Sequence, residues 1–301
     1  MCKSVYIILL NYKGYRDTIE CLESLTDLHY ANYTVVVCDN ASPDGSEQYI
    51  RAWAEENRKR LPIKFLQTGA NLGFAGGNNV GIRYALDHRA EYIWLLNNDT
   101  IVEADALAFM IDKMEANDRL GICGSRLMSY HHRDEIVGLA GWNCPVTSAG
   151  GHILKTEDMS RFTYVIGASM LFRREVFENV GLLQDDYFLY YEELDIAERI
   201  RGKYEMDVAL DSVVYHKEGA SIGNQTAFSE FYSLKNCLKY TWRFHRRYFP
   251  IVFMRFSLHV FWPVHARPYK RVHMFFKVIK NFLIEIHNKD FQHVPVYVRE
   301  E

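Results

Sequence analysis

The sequence predicts an α/β fold in which a mostly parallel sheet carries helices on both faces. Three observations predict it. Residues 4–10, 33–38 and 92–96 are continuous apolar runs, the pattern of strands buried on both faces. Stretches of helical periodicity separate them, through Ile19, Leu22 and Leu25 and again through Ile82, Ala85 and Leu86. The strands end abruptly in polar residues, Asn11, Asp39, Asn97 and Asp99, which parallel βαβ units bring to one carboxyl edge. In an open sheet of this kind that edge is where ligands bind.

Taken in order, the first strand gives way to the polar turn Asn11-Tyr12-Lys13-Gly14 and a helix over residues 15–25. The second strand ends in Asp39-Asn40. Ser42-Pro43-Asp44-Gly45-Ser46 then turns the chain and caps a helix running to about residue 60. Residues 63–67 make a third strand. Asn71 to Asn79 reads as a glycine-rich loop opening onto a helix, followed by the fourth strand with Asn97-Asn98-Asp99 at its tip. A helix over 104–115 and a short strand at 121–124 follow. Between 129 and 161 the pattern loosens around Gly138, Gly141, Gly150, Gly151 and Trp142, as expected of loops and edge hairpins. An apolar run at 164–172 is broken by Gly167-Ala168-Ser169. The aromatic-rich stretch Tyr187-Phe188-Leu189-Tyr190-Tyr191 precedes Glu192-Glu193-Leu194-Asp195 at the start of a short helix, where Asp195 is expected to cap. A strand over 208–215 ends at His216.

The chain then changes character. From residue 226 onward it carries 13 Lys and Arg against 5 Asp and Glu, whereas the first 225 residues carry 22 against 33. An acidic body with a basic tail divides the chain into residues 1–225 and 226–301. The tail also holds 18 of the 43 aromatic residues, so it is not a solvated charge run. Phe228, Phe231, Leu234, Leu238 and Trp242 follow helical spacing. Arg267, Lys270, Arg271, Lys277 and Lys280 alternate with Phe275, Phe276, Phe282 and Leu283. Such helices suit an anionic membrane surface, apolar faces in the headgroup zone and cations on the lipid phosphates. The alternative is a helix that completes the fold or a homodimer. No nucleic-acid motif accompanies the basic tail. The six cysteines form no CxxC pair, and Cys2, Cys38 and Cys123 sit in or beside apolar runs, as buried thiols of a reducing compartment do. No apolar run reaches the roughly 18 residues of a membrane span, and residues 5–10 are too short for a signal-peptide core. The segment from Asn71 to Asn79 matches neither GxGxxG nor a P-loop.

Seven pieces, in order, resemble the family 2 glycosyltransferases of the GT-A fold, in particular their rhamnosyltransferase-like branch. They are Ile8-Leu9-Leu10-Asn11-Tyr12-Lys13, the stretch from Val37 to Ser46, that from Asn71 to Asn79, Leu95-Leu96-Asn97-Asn98-Asp99-Thr100, Gly167-Ala168-Ser169-Met170, the stretch from Phe188 to Asp195, and His216 with Gly219-Ala220-Ser221. The resemblance covers residues 4–221.

The resemblance implies roles. Asp39 would accept the imide N–H of uracil or thymine, which cytosine lacks, with Asn11 and Tyr12 lining the base pocket. Asn97 and Asp99 would occupy the DxD positions that hold Mg²⁺ or Mn²⁺ against a diphosphate. With Asn in the first position, the negative charge there rests on Asp99. His216 would be a second ligand, better suited to Mn²⁺. Glu193 would be the general base, standing where the family usually has Asp, with Glu192 or Asp195 as rivals. Gly76 and Gly77 would allow close backbone approach, with Asn71 and either Asn78 or Asn79 near the nucleotide. Gly167, Ala168, Asp195 and Trp142 would border the donor and acceptor sugars. The implied protein is an inverting, metal-dependent enzyme. It would move a sugar from a dTDP- or UDP-sugar, dTDP-L-rhamnose among them, to a glycan or lipid-linked glycan at the cytoplasmic face of the membrane. Two rival classes are a sugar-nucleotide nucleotidyltransferase, which needs a longer basic glycine loop after the first strand, and a non-catalytic glycan-binding or membrane scaffold.

Overall fold

A computed structural model of the chain describes residues 2–217, 227–261, 268–288, 295 and 297. Gly219-Ala220-Ser221, the proposed boundary at 225/226 and Arg267 lie outside the described residues. The elements in chain order are β1 Val5–Asn11, α1 Tyr15–Leu25, β2 Tyr33–Asp39, α2 Ser46–Asn57, β3 Ile63–Gln67, α3 Gly73–Asp87, β4 Tyr92–Asn97, β5 Thr100–Val102, α4 Ala106–Glu115 and β6 Leu120–Ser129. There follow β7 Ile136–Gly138, β8 Ala140–Asn143, β9 Gly150–Ile153, β10 Ser169–Arg173, α5 Arg174–Val180, α6 Glu192–Ile200, β11 Glu205–His216, α7 Ala227–Phe244, α8 Phe249–Phe261 and α9 Pro268–Asn288.

The main sheet runs β3-β2-β1-β4-β10-β6-β11-β5, with β7 on β6, while β8 and β9 form a separate hairpin. The β3-β2-β1-β4 half is parallel, as the apolar runs predict. The other half is mixed, because β10 runs antiparallel to both β4 and β6. That reversal positions the site. Ser169 pairs with Leu96, so Gly167 and Ala168 enter the sheet at the edge where β4 leaves it, and Asn97 N–H donates to Ala168 O at 3.0 Å. Residue alternation along the strands splits the core into two layers. Ile7, Leu9, Val35, Val37 and Trp94 face α1, α2 and α4, and Ile8, Val36, Ile93 and Leu95 face α3, α5 and α6.

Two local expectations are corrected. Residues 76–79 are not loop: α3 begins at Gly73, which adopts φ +71°, and a Cβ there would collide with the Phe188 carbonyl. Gly77 lets the helix lie against Leu10 of β1. These glycines serve close helix packing. Among the cysteines, all free, Cys21, Cys38 and Cys123 are buried and Cys2 is exposed; burial pushes the Cys38 thiol up to about 12.

The described part of the basic tail folds as three α-helices around Phe231, Leu238, Val252, Phe256, Val278 and Phe282. No described helix is long and apolar enough to cross a membrane.

Candidate active site

The strand register places Asn11 beside Asp39 and Leu10 beside Asn97, so the polar tips share one edge. At one end of it Asp39 is 0% exposed and saturated. Oδ1 accepts from Asn11 Nδ2 and Ser42 Oγ, both at 2.6 Å, and Oδ2 from Gln67 Nε2 at 2.9 Å and Ser42 N at 3.1 Å. Asn11 therefore departs from its expected place on a pocket wall, because its buried amide is the donor that holds Asp39. Tyr12 remains at the surface, 37% exposed. The chain of bonds continues inward, Thr18 Oγ1 donating to Asn11 Oδ1 at 2.9 Å and Asn98 Nδ2 to Thr18 Oγ1 at 2.8 Å. One buried polar network thus runs from Asp39 to the neighbour of Asp99. Bonds to a buried carboxylate of this kind contribute about 1.5–3 kcal/mol each.

At the β4 tip Asp99 is 6% exposed. Its Oδ1 lies 3.3 Å from His216 Nε2, and Asn97 Nδ2 lies 3.4 Å from the same nitrogen. β11 brings His216 there by pairing it with Thr100. Lys217 N–H fixes the Asp99 carbonyl at 3.0 Å, and Lys217 Nζ is clamped by Asp17 and Glu20 at 2.5 Å each. A divalent cation fits this arrangement. Adjacent ligands of an octahedral ion with bonds of about 2.1 Å stand about 3 Å apart, close to the Asp99–His216 separation. No group of three or more His, Cys, Asp or Glu that could hold a metal ion is found among the described residues. Asp99 offers a carboxylate and His216 an imidazole, and Asn97 would join them only through its Oδ1; so sparse a set would leave the remaining positions of a cation to phosphate and water.

Asn71 stays at the surface and Asn78 turns inward. Asn71 Oδ1 accepts from Gly73 N and Asn40 Nδ2 at the start of α3, both at 3.0 Å. Asn78, expected at the nucleotide, is buried within α3 and donates to Phe74 O at 2.9 Å, while Gly76 lies against Leu72.

The acidic pair opens α6. The chain reaches it through an unusual turn, in which Phe188, Tyr190 and Tyr191 adopt φ of +67°, +68° and +79°. Each such residue costs of order 1–3 kcal/mol and persists only where its surroundings over-determine it. Phe74 N–H of α3 donates to Phe188 O at 2.6 Å, which ties this turn to the same sheet edge. Glu193 lines a cavity of about 410 Å³ together with Trp142, Tyr164, Tyr190, Tyr191 and Arg255. Arg161 lies over the Trp142 ring at 3.8 Å. The Glu193 Oε2 atom is buried without a hydrogen-bond partner, and burial pushes its carboxyl up to about 6. Glu192 is 5% exposed, does not line the cavity, and is held well above the usual range by burial and then by the Glu193 charge.

Asp195 corrects an expectation. It is no cap and is closed off from the cavity: fully buried, it pairs with Arg199 at 2.5 Å and Arg243 at 2.7 Å and accepts from Tyr187 Oη at 3.3 Å. Sequence reasoning missed Thr18, Ser42 and Gln67 around Asp39, and Asn236 and Arg243 behind the acidic pair. Ser42 alone left a signal, its place in the turn after β2.

Known proteins resemble this chain in sequence and in fold. Residues 4–181 match the family described as glycosyl transferase family 2, a stretch that ends before Glu193 and His216. The low-salt glycan biosynthesis hexosyltransferase Agl10 of Haloferax volcanii is 28% identical over 217 residues, 67% of this chain and 62% of its own length. The dTDP-rhamnosyl transferase RfbF of Shigella flexneri is 25% identical over 193 residues, 64% of this chain and 61% of its own. The chain thus spans less than two thirds of either relative. Among solved structures, the mannosyltransferase PcManGT of Pyrobaculum calidifontis in complex with GDP-Man and Mn²⁺ shares the fold with a TM-score of 0.60 and 16% identity, over 94% of this chain and 76% of that one. S. aureus TarS 1-349 in complex with UDP-GlcNAc does so with a TM-score of 0.60 and 14% identity, over 93% and 80%. The fold is GT-A, and the chain belongs to glycosyl transferase family 2.

Proposed function

We propose that this protein transfers a sugar, with inversion, from a dTDP- or UDP-sugar to a hydroxyl of a glycan, carried on a lipid at the cytoplasmic membrane face. The observation that carries the reading is Glu193: a carboxylate with a raised proton affinity, aimed into an aromatic-walled cavity. A base working near neutral pH needs that combination. The acceptor hydroxyl gives its proton to Glu193 as its oxygen bonds to the anomeric carbon. On the opposite face the bond from that carbon to the phosphate oxygen breaks, and the nucleoside diphosphate departs with the electron pair. Trp142, Tyr164 and Tyr190 line the cavity and would border the sugars.

A divalent cation held by Asp99, His216 and Asn97 would supply positive charge beside the departing diphosphate. Asp39 would read the base imide once Gln67 or Ser42 releases one of its bonds. That donor class follows the name of RfbF and the UDP-GlcNAc bound to TarS; PcManGT, solved with GDP-Man, shows that the fold alone does not choose the base. Support for the membrane surface comes from α8 and α9, where Ile251, Met254, Leu258, Phe276, Leu283 and Ile284 stand exposed beside Arg255, Lys277 and Lys280. The test is nucleoside diphosphate release from a panel of UDP- and dTDP-hexoses by wild type and Glu193→Gln. Wild type is expected to turn over at least one donor. The variant should bind donor and lose turnover by about 10²–10⁴-fold, the usual worth of a general base. An active Glu193→Gln with an inactive Glu192→Gln would move the base to Glu192.

A further inference from the structure

The turn that delivers Glu193 is held from behind by a residue of the C-terminal helices. Asn236 of α7 is fully buried, and its Nδ2 reaches three carbonyls of the turn, Tyr187 O at 2.9 Å, Leu189 O at 2.7 Å and Tyr190 O at 3.0 Å. Two amide protons serve three acceptors, so one is shared. These carbonyls belong to or flank the three residues with positive φ, a conformation that the local sequence does not favour. Neighbours on α7 add to the grip. The Tyr232 ring stacks on Phe188 with centroids 4.9 Å apart, Lys239 pairs with Asp186 at 2.7 Å, and Arg243 pairs with Asp195 at 2.7 Å. Lys239 also meets Glu285 at 3.2 Å, and Lys235 meets it at 2.6 Å, so α9 braces α7 in turn.

We propose that Asn236 is a positioning residue for the transfer reaction: by fixing the strained 187–191 turn it sets the direction in which Glu193 enters the cavity. The C-terminal helices are then part of the catalytic apparatus. α7 and α8 contribute Ser233, Leu234, Cys237, Val252, Arg255 and Phe256 to the cavity wall, so the same helices shape the space and aim the base. The inference rests on Glu193 being the base, and the experiment separates the two ideas.

Wild type, Glu193→Gln, Asn236→Ala and Asn236→Ser are compared for turnover of UDP- and dTDP-hexoses, for UDP and dTDP affinity with Mn²⁺, for thermal melting and for the pH profile of kcat. Asn236→Ala is expected to keep nucleotide affinity within about twofold while kcat falls by about 10²-fold, the effect of misplacing a reacting group by an ångström. The acid limb of its kcat profile should also move to lower pH as the base swings toward water. Asn236→Ser keeps one donor and should fall between; it decides the matter if the alanine variant does not fold. A folded Asn236→Ser with wild-type kcat and an unshifted acid limb, or an Asn236→Ala that merely melts earlier, overturns the positioning role. An active Glu193→Gln defeats the base assignment instead. Release of nucleotide from no donor by wild type defeats the functional reading, and this inference with it.

Discussion

At the residue scale, two adjacent glutamates at one helix start have opposite fates. Glu192 is buried away from the cavity, and desolvation, then the Glu193 charge, raises its carboxyl well above the usual range. Glu193 reaches the cavity with its carboxyl pushed up to about 6. The sign of the pH dependence follows. As pH falls through about 6, Glu193 takes up a proton and can no longer accept one, so kcat should drop roughly tenfold per unit below that point. The folded chain holds this proton more tightly than the unfolded chain does. The group's contribution to stability therefore grows on acidification through the same window, and the activity loss is not unfolding. Steady-state rates from pH 5 to 8, with melting followed in parallel, check this; an acid limb near 4.5, or one that tracks melting, contradicts it. The residues that carry charge or glycine were legible in the sequence: Asp39, Asp99, Glu193 and His216 stand at strand and helix ends. Their partners were not. Thr18, Gln67 and Asn236 are ordinary polar residues on ordinary elements, and only the packing of distant segments brings them to a carboxylate or a carbonyl.

At the scale of elements, the parallel half of the sheet was readable because a strand buried on both faces has to be apolar throughout. β10 was harder. Its antiparallel course depends on what precedes and follows it, and Gly167-Ala168-Ser169 looked like an interruption where it is the point of entry. The glycines of α3 misled because a glycine run signals a loop, yet here small residues let a helix lie on β1. The tail read correctly as amphipathic helices, but α7 inserts Asn236, Lys239 and Arg243 into the body. The membrane claim belongs to α8 and α9. With exposed apolar residues beside Lys277 and Lys280, the protein should co-sediment with vesicles containing phosphatidylglycerol and less with phosphatidylcholine alone. Each cation near the surface contributes about 1 kcal/mol, lost in high salt. A Phe276→Asp, Leu283→Asp double variant should stay in the supernatant; equal sedimentation of the variant, or none by wild type, contradicts the claim.

At the scale of the whole molecule, the fold gathers two polar ends on one sheet edge. The buried chain from Asp39 through Asn11 and Thr18 to Asn98 links the expected base-reading end to the β4 tip. Lys217 and its two carboxylates brace the backbone next to Asp99 and His216. On the α3 side of that edge, the 187–191 turn is fastened to α3 in front and α7 behind, which brings Glu193 to the cavity. The central claim is that this edge holds a nucleoside diphosphate through a divalent cation at Asp99. Calorimetric titration of UDP and dTDP into wild type and Asp99→Ala, each with Mn²⁺ and with a chelator, tests it most directly. The account predicts binding to wild type that weakens about 10- to 100-fold when the metal is removed, and an Asp99→Ala variant that is folded but equally weak in both conditions. Nucleotide affinity that is indifferent to both Mn²⁺ and Asp99 would contradict it.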